Sequence, residues 1–283
     1  MKCRFCKTVL KDVFIDLGNS PASNSFLTKE QLNEPETYFP LKIFVCAKCF
    51  LVQVDEYKKT ETIFDDSYVY FSSYSKSWLA HSKRYVDMMT KRFGYNKESQ
   101  VIELASNDGY LLQYFKELGV PVLGIEPAAN TAAVAKEKGI NTLTEFFTTE
   151  LAKKLTAKGV KADLLLGNNV LAHVPDIVDF LRGAKTILKN EGVITFEFPH
   201  LMNLVDLNQF DTIYHEHFSY LSFSTVSEIF ESLDLELFDV EELSTHGGSI
   251  RIFGKHKNDK TKKISPAVKH MFDKERKKGM RKL

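Results

Sequence analysis

From about residue 100 onward, short apolar runs alternate with stretches whose apolar residues recur at helical spacing. Val101-Ile102-Glu103-Leu104 predicts a strand, and Leu111, Leu112 and Phe115 give the next segment one apolar helical face. The same pattern predicts strands over 120–126, 140–143, 163–167 and 193–198, with helices over 131–138, 148–157 and 177–188. A helix over 225–233 and two closely spaced strands, 236–243 and 249–253, complete it. Strands alternating with helices predict an open, mostly parallel α/β sheet, and the close final pair predicts an antiparallel last strand. The polar run 189–192 reads as a turn before the fifth strand. Upstream, Trp78, Leu79, His81, Ser82, Tyr85, Val86 and Met89 mark a helix that leads into the sheet.

The first strand empties into Ala105-Ser106-Asn107-Asp108-Gly109 and then a helix, an arrangement that makes a nucleotide site from unpaired N–H groups. The second strand ends on Glu126, placed to hold both hydroxyls of a ribose. A dinucleotide fingerprint needs three glycines in the turn. Here there is one, Gly109, with Glu103 and Asp108 as carboxylates that repel a pyrophosphate and suit a cationic ligand. S-adenosylmethionine (SAM) is such a ligand, carrying a sulfonium, an ammonium and a ribose. NAD is disfavoured on the same ground, and an ordinary polar βαβ corner is the bland alternative. Phe147, after the third strand, flanks an adenine or packs in the core. Asn168, Asn169 and His173 follow the fourth strand, at the sheet end where open α/β sheets bind ligands.

The 283-residue length suggests one large domain with an appendage, or two domains. The four cysteines, Cys3, Cys6, Cys46 and Cys49, form two Cys-x-x-Cys pairs, which together offer four sulfurs to a tetrahedral zinc ion. All four positions being thiolates, the metal is structural. Acidic residues between the pairs and the lack of a basic-aromatic stripe argue against nucleic acid as a partner. No apolar run approaches the ~20 residues of a membrane span, and the N-terminus lacks a signal peptide's apolar core, which predicts a cytoplasmic protein with no membrane partner. Net charge is +1, yet residues 255–283 hold twelve Lys/Arg against three Asp/Glu, or +9, which leaves −8 on the rest. The expected organisation is a zinc-binding module over 1–60, a Tyr/Ser-rich lid and connecting helix over 61–98, the α/β domain over 99–255, and a basic tail over 256–283. Tyrosines of the 61–75 stretch lie over the pocket or pack on the sheet. Tyr214-His215-Glu216-His217 gathers the densest ionisable cluster, open to a general-base, a metal-ligand or a structural reading.

Taken in order, Cys-x-x-Cys twice, Tyr-x-Tyr-x-Ser-Ser, Glu-Leu-Ala-Ser-Asn-Asp-Gly, Gly-Ile-Glu-Pro, Asn-Asn-x-x-x-His-Val, Glu-His-Phe and His-Gly-Gly resemble the zinc-containing, SAM-dependent sugar C-methyltransferases. The likeness runs from Cys3 to about residue 256. It implies a class I SAM-methyltransferase (Rossmann-like) α/β fold with an N-terminal zinc module, SAM and Zn2+ as cofactors, and a keto-deoxysugar, nucleotide-linked, as acceptor. By the resemblance, Tyr70, Tyr214, Glu216 and His217 line the active site, with His217 as base. Glu216 would orient its ring, and a phenol would meet the enolate oxygen. The family usually carries glycine where this chain has Ala105. It also carries a further C-terminal domain, expected here to be missing and supplied, if needed, by a partner. The alternative function is a non-catalytic SAM- and zinc-binding subunit.

Overall fold

The computed structural model describes residues 1–57, 59 and 68–282; the first part of the expected lid, 61–67, lies outside the described residues. The N-terminal part forms β1 (Asp12–Ser20), β2 (Phe39–Val45) and β3 (Val52–Val54), with β2 antiparallel to both neighbours. Helix α1 (Lys76–Phe93) follows, capped by the Ser75 side chain on the Trp78 N–H and stopped by Gly94 at φ +73°. Its buried face, Trp78, Ser82, Tyr85, Val86 and Met89, is the face the apolar spacing predicts.

The alternation then runs β4 (Val101–Leu104), α2 (Leu112–Glu117), β5 (Val122–Ile125), α3 (Ala129–Glu137), β6 (Thr142–Leu143), α4 (Thr149–Ala157), β7 (Ala162–Asn168), α5 (Ile177–Ile187) and β8 (Leu188–Pro199). After it come α6 (Leu201–Asp206), β9 (Ser219–Tyr220), α7 (Phe223–Ser232), β10 (Leu235–Leu243), β11 (Ser249–His256) and α8 (Pro266–Lys277). The main sheet has the order β10-β11-β8-β7-β4-β5-β6, parallel except where β11 inserts antiparallel beside β8 and pairs with β10. Alternate residues of β4 serve the two faces: Val101 packs with α1 and α2, whereas Ile102 and Leu104 pack with α4 and α5. The expected turn over 189–192 is a bulge inside β8, whose register against β7 jumps from Ala162↔Leu188 to Leu164↔Val193.

Two features depart from the expected organisation. The small sheet is four-stranded, order β1-β2-β3-β9, so a strand from the α/β part, residues 219–220, completes the zinc module. The basic stretch after 255 is no loose tail. Its helix α8 buries Val268, Met271 and Glu275 against β10 and α7, and its cations meet acids of the body: Lys274 with Glu242, Lys278 with Asp206, Arg281 with Glu228. The opposite net charges of tail and body explain that docking, though each exposed pair adds only about 0–1 kcal/mol. Lys255 is itself buried, donating to the Asp259 and Lys262 carbonyls and lying 3.1 Å from Glu236. No helix among the described residues is long and apolar enough to cross a membrane.

Candidate active site and metal centre

The four thiols converge. Cys3 and Cys49 sulfurs are 3.5 Å apart, Cys6 and Cys46 sulfurs 3.4 Å, and all four lie within 4.8 Å of one another, with no disulfide. Tetrahedral zinc at about 2.3 Å from each sulfur sets them roughly 3.8 Å apart, so the cluster fits a closed zinc site with four thiolate ligands. Each knuckle ends on a residue in the left-handed region, Lys7 at φ +60° and Phe50 at φ +59°, whose N–H returns to the first cysteine's carbonyl. Gln53 donates to Cys3 Sγ at 3.4 Å and accepts the Arg4 N–H at 2.8 Å, so β3 braces the first knuckle.

A cavity of about 310 Å3 opens at the C-terminal ends of β4, β5 and β7, within the roughly 300–1,000 Å3 range of small-molecule sites. Ala105, Asn107, Glu126, Phe147, Asn168, Asn169 and His173 line it, as does Tyr70. Glu103, Ser106, Asp108 and Gly109 do not; they form the layer behind the lining. Asp108 is turned away to Lys138, 3.2 Å from its carboxylate, and to the Ser73 hydroxyl, so it pins the turn to α3 and to the segment before α1. Asp108 thus stands behind the cavity wall, with Lys138 and Ser73 both on its Oδ2. Ser106 sits against Gly124, where a Cβ would come within 2.4 Å of its hydroxyl. Ala105 holds φ +55°, a conformation that costs a residue with a Cβ about 1–2 kcal/mol.

Glu126 is 3% exposed, its Oε1 accepting the Ala128 N–H and its Oε2 the Asn107 N–H, which leaves a lone pair on each oxygen. Burial pushes this carboxyl up to about 7. Burial, then Glu126 and Asp108, hold the Glu103 carboxyl well above the usual range, against the Tyr110 hydroxyl, which lowers it. Among the described residues, Ser106 Oγ, Asp108 Oδ1 and Asn169 Oδ1 are buried without a hydrogen-bond partner. A cluster of acidic, under-satisfied acceptors fits a cation that donates hydrogen bonds, and SAM is one; a pyrophosphate would be repelled. Lining residues missed in the sequence include Trp78, Tyr110, Asp176 and Asp179, whereas Tyr68 belongs to the stretch expected over the pocket. Tyr110 had a signal, since it follows Gly109 directly and its hydroxyl accepts from Asn168 at 3.3 Å. Trp78 carried a helical apolar position but no sign that its ring, stacked on Tyr110 and edge-on to His246, would form a wall.

Beside this cavity, residues 212–220 place the ionisable cluster. Thr212 C=O lies 3.0 Å from His217 Nδ1 and Tyr214 Oη lies 2.8 Å from Nε2. A carbonyl only accepts, so the proton is on Nδ1 and Nε2 accepts from the phenol. Burial, and after it His173 and His246, hold the His217 imidazole well below its ordinary value. His173, whose ring is 4.6 Å from that of His217, is lowered to about 4 by burial. His173 therefore connects the cavity with the Tyr214–His217 pair, which does not line it. Glu216 does not orient His217. Its carboxylate accepts from Ser23 and Asn24 of the zinc module, because the turn after β1 lies against it. The His-Gly-Gly turn reaches the same region, His246 accepting from Asn169 Nδ2 at 3.5 Å.

Comparison with known proteins decides the family. Residues 76–240 match the model of a methyltransferase domain. The chain belongs to the methyltransferase-domain family. Residues 3–64 of this methyltransferase match a putative zinc binding domain, and residues 244–283 match a C-methyltransferase C-terminal domain. The last match overturns the expectation that the C-terminal domain is missing, and with it that of a partner supplying one: β11 and α8 lie within the matched segment. The methyltransferase is 34% identical to C-methyltransferase NovU of Streptomyces niveus over 99% of its own length and 66% of NovU's. It is 29% identical to the ubiquinone biosynthesis O-methyltransferase of Bartonella quintana over 34% of its length and 39% of that protein's. Among solved structures, PH0226 protein from Pyrococcus horikoshii OT3 superposes with a TM-score of 0.54 at 15% identity, covering 71% of this chain and all of that one. That likeness is one of fold: a Rossmann-like SAM-methyltransferase core, here with an N-terminal zinc module.

Proposed function

We propose that this methyltransferase transfers a methyl group from SAM to the carbon alpha to the carbonyl of a nucleotide-linked keto-deoxysugar. The observation that carries the reading is the similarity to C-methyltransferase NovU, which extends over 99% of this chain, zinc module included. The O-methyltransferase likeness covers only 34%. We also place the protein in the cytoplasm, since four thiolates holding zinc require a reducing compartment.

Bound SAM supplies a methyl group made electrophilic by its sulfonium. Glu126 would hold the ribose hydroxyls with the lone pairs that Asn107 and Ala128 leave. Phe147 would flank the base, and the Glu103 layer favours a cation. Tyr68 and Tyr70 line the cavity, which supports reading the segment before α1 as a lid. Carbon becomes nucleophilic only when the proton beside the carbonyl is removed. His217 takes that proton on Nε2; it is kept neutral by burial and fixed in the right tautomer by Thr212. The Tyr214 phenol, which occupies that lone pair, moves to the developing enolate oxygen, where its O–H stabilises negative charge.

The test supplies a dTDP-4-keto-6-deoxysugar with SAM and reads the methylated product by mass. The same sugar in D2O without SAM reads proton removal alone. Wild type performs both, and His217→Ala loses about 10²–10⁴-fold in both. Activity falls on the acid side, below the ordinary histidine value, as Nε2 becomes protonated. Absence of turnover in protein that binds both SAM and zinc would make the chain a binding subunit instead.

A further inference from the structure

The Thr245-His246-Gly247-Gly248 turn between β10 and β11 takes no part in the chemistry above, yet it is built to hold one side chain in place. His246 adopts φ +48°, in the left-handed region that few residues other than glycine enter. The next two residues stand at φ +75° and +114°. A Cβ on them would come within 2.5 and 2.4 Å of the Gln209 and Asn203 amides, so both positions require glycine. Those amides hold the turn, Gln209 Nε2 donating to the Gly247 carbonyl at 2.7 Å and Asn203 Nδ2 to the Gly248 carbonyl at 3.0 Å. The Thr245 hydroxyl donates to Glu197 Oε1 at 2.9 Å, and the Arg251 guanidinium, 2.6 Å from Oε2, fixes that carboxylate. A strained residue persists only where its surroundings over-determine it, and such positions gather at functional sites.

The turn delivers the His246 imidazole to the cavity wall. Its ring is edge-on to Trp78, with 5.1 Å between centroids, and its Nε2 lies 3.5 Å from Asn169 Nδ2; Trp78 and Asn169 both line the cavity. Trp78 is backed by the stacked ring of His81, whose Nε2 lies 2.9 Å from Glu197 Oε2, so one carboxylate braces the wall and the turn together. An amide N–H only donates, so Nε2 of His246 accepts and the proton is on Nδ1. That N–H has no partner among the described residues, and His246 is exposed, which leaves it open to a ligand. His246 touches the wall of the cofactor cavity without lining it and stands within electrostatic reach of His217. The acceptor has to lie there if its proton is to reach His217 and its carbon the SAM methyl.

We propose that His246 is an acceptor-binding residue whose Nδ1–H donates to an oxygen of the keto sugar, with Thr245 and the two glycines holding the imidazole in place. The proposal rests on the sugar-methylating function above.

The test compares His246→Gly, His246→Asn, His246→Phe and Thr245→Val with wild type, each loaded with zinc. Gly keeps the left-handed backbone and removes the ring, and Asn keeps that backbone with a shorter donor. Phe keeps the edge-on contact with Trp78 and removes the donor. Calorimetric titration of the S-adenosylhomocysteine complex with the dTDP-4-keto-6-deoxysugar reads acceptor binding without turnover. The expected result is a sugar Kd and KM raised about 3–10-fold in His246→Gly and His246→Phe, with kcat changed much less. His246→Asn should fall between them and wild type, and Thr245→Val should show a smaller rise of the same kind. Affinity for S-adenosylhomocysteine and the zinc content should be unchanged. Wild-type Kd and KM in His246→Phe would make the ring a packing element and overturn the proposal. So would S-adenosylhomocysteine affinity falling in step with activity in His246→Gly, which would assign the side chain to the cofactor. A wild type that binds the sugar without methylating it sinks the catalytic reading alone, and the binding comparison still decides the role of His246. A wild type that does neither overturns both.

Discussion

Replacing Glu126 with Gln gives the sharpest test of the cofactor site. In the native protein each carboxylate oxygen accepts one backbone N–H, from Ala128 at 2.9 Å and Asn107 at 2.8 Å. An amide keeps one acceptor and turns an NH2 toward the other N–H, so one buried donor loses its partner at about 1–3 kcal/mol. The ribose would lose a bond to a charged acceptor, about 1.5–3 kcal/mol, or roughly 10–100-fold in affinity. The pH dependence sharpens the test, because burial raises this carboxyl from its ordinary 4.5 to about 7. Ligand binding draws on the ionised form, so affinity for S-adenosylhomocysteine should weaken about tenfold from pH 8 to pH 6, with a proton released on binding at pH 6. Stability moves the other way. Between 4.5 and 7 the native protein holds a proton that the unfolded chain has lost, so this group makes the fold less stable as pH rises through that window. The Gln variant should lose both slopes. Calorimetric titration in two buffers of different ionisation enthalpy reads affinity and proton release together. A wild-type affinity that is flat with pH, or a Gln variant that binds as wild type does, would refute the assignment of Glu126 to the ribose.

Two further outcomes are expected. Glu275→Ala should lose about 3–5 kcal/mol in urea unfolding, because the carboxylate accepts from His200 at 2.6 Å, from the Phe223 and Ser224 N–H groups at 2.6 and 2.8 Å, and from the Ser224 hydroxyl, all buried. Burial pushes the Glu275 carboxyl up, but His200 and Ser224 outweigh it and leave it below its ordinary 4.5, so its contribution is present above that value and is lost as pH falls through the lowered one. Metal analysis should find one zinc per chain. Its removal by a chelator should raise hydrogen exchange in β3 and β9 as well as at the cysteine knuckles, since the second knuckle joins β2 to β3 and β9 pairs with β3; exchange limited to the knuckles would contradict that coupling.

Much of the site was legible because its signals are local. The acid at the end of β5, the turn of small polar residues after β4 and the two Cys-x-x-Cys pairs each carry their chemistry within a few residues. The partners of these groups were not legible. The sequence neighbours of Asp108 say nothing of Lys138, which reaches it only once α3 has packed. Glu216 stands beside His217 in the chain, yet it lies in the turn closed by the His217 N–H on the Tyr214 carbonyl, and its carboxylate meets Ser23 and Asn24.

The amino-acid order by itself determined the alternation of strands and helices, the antiparallel final pair, the zinc ligands and the acidic character of the nucleotide turn, because periodicity, spacing and charge are properties of short windows. Only the tertiary structure decided that residues 219–220 complete the zinc module's sheet, a strand too short to carry any period. Only it decided that the basic C-terminal stretch is a docked helix whose Glu275 anchors the start of α7 across the fold. The physical reason is the same in both cases. Hydrogen bonds and ion pairs between distant segments are set by which surfaces bury each other, and that choice is made by the whole chain at once.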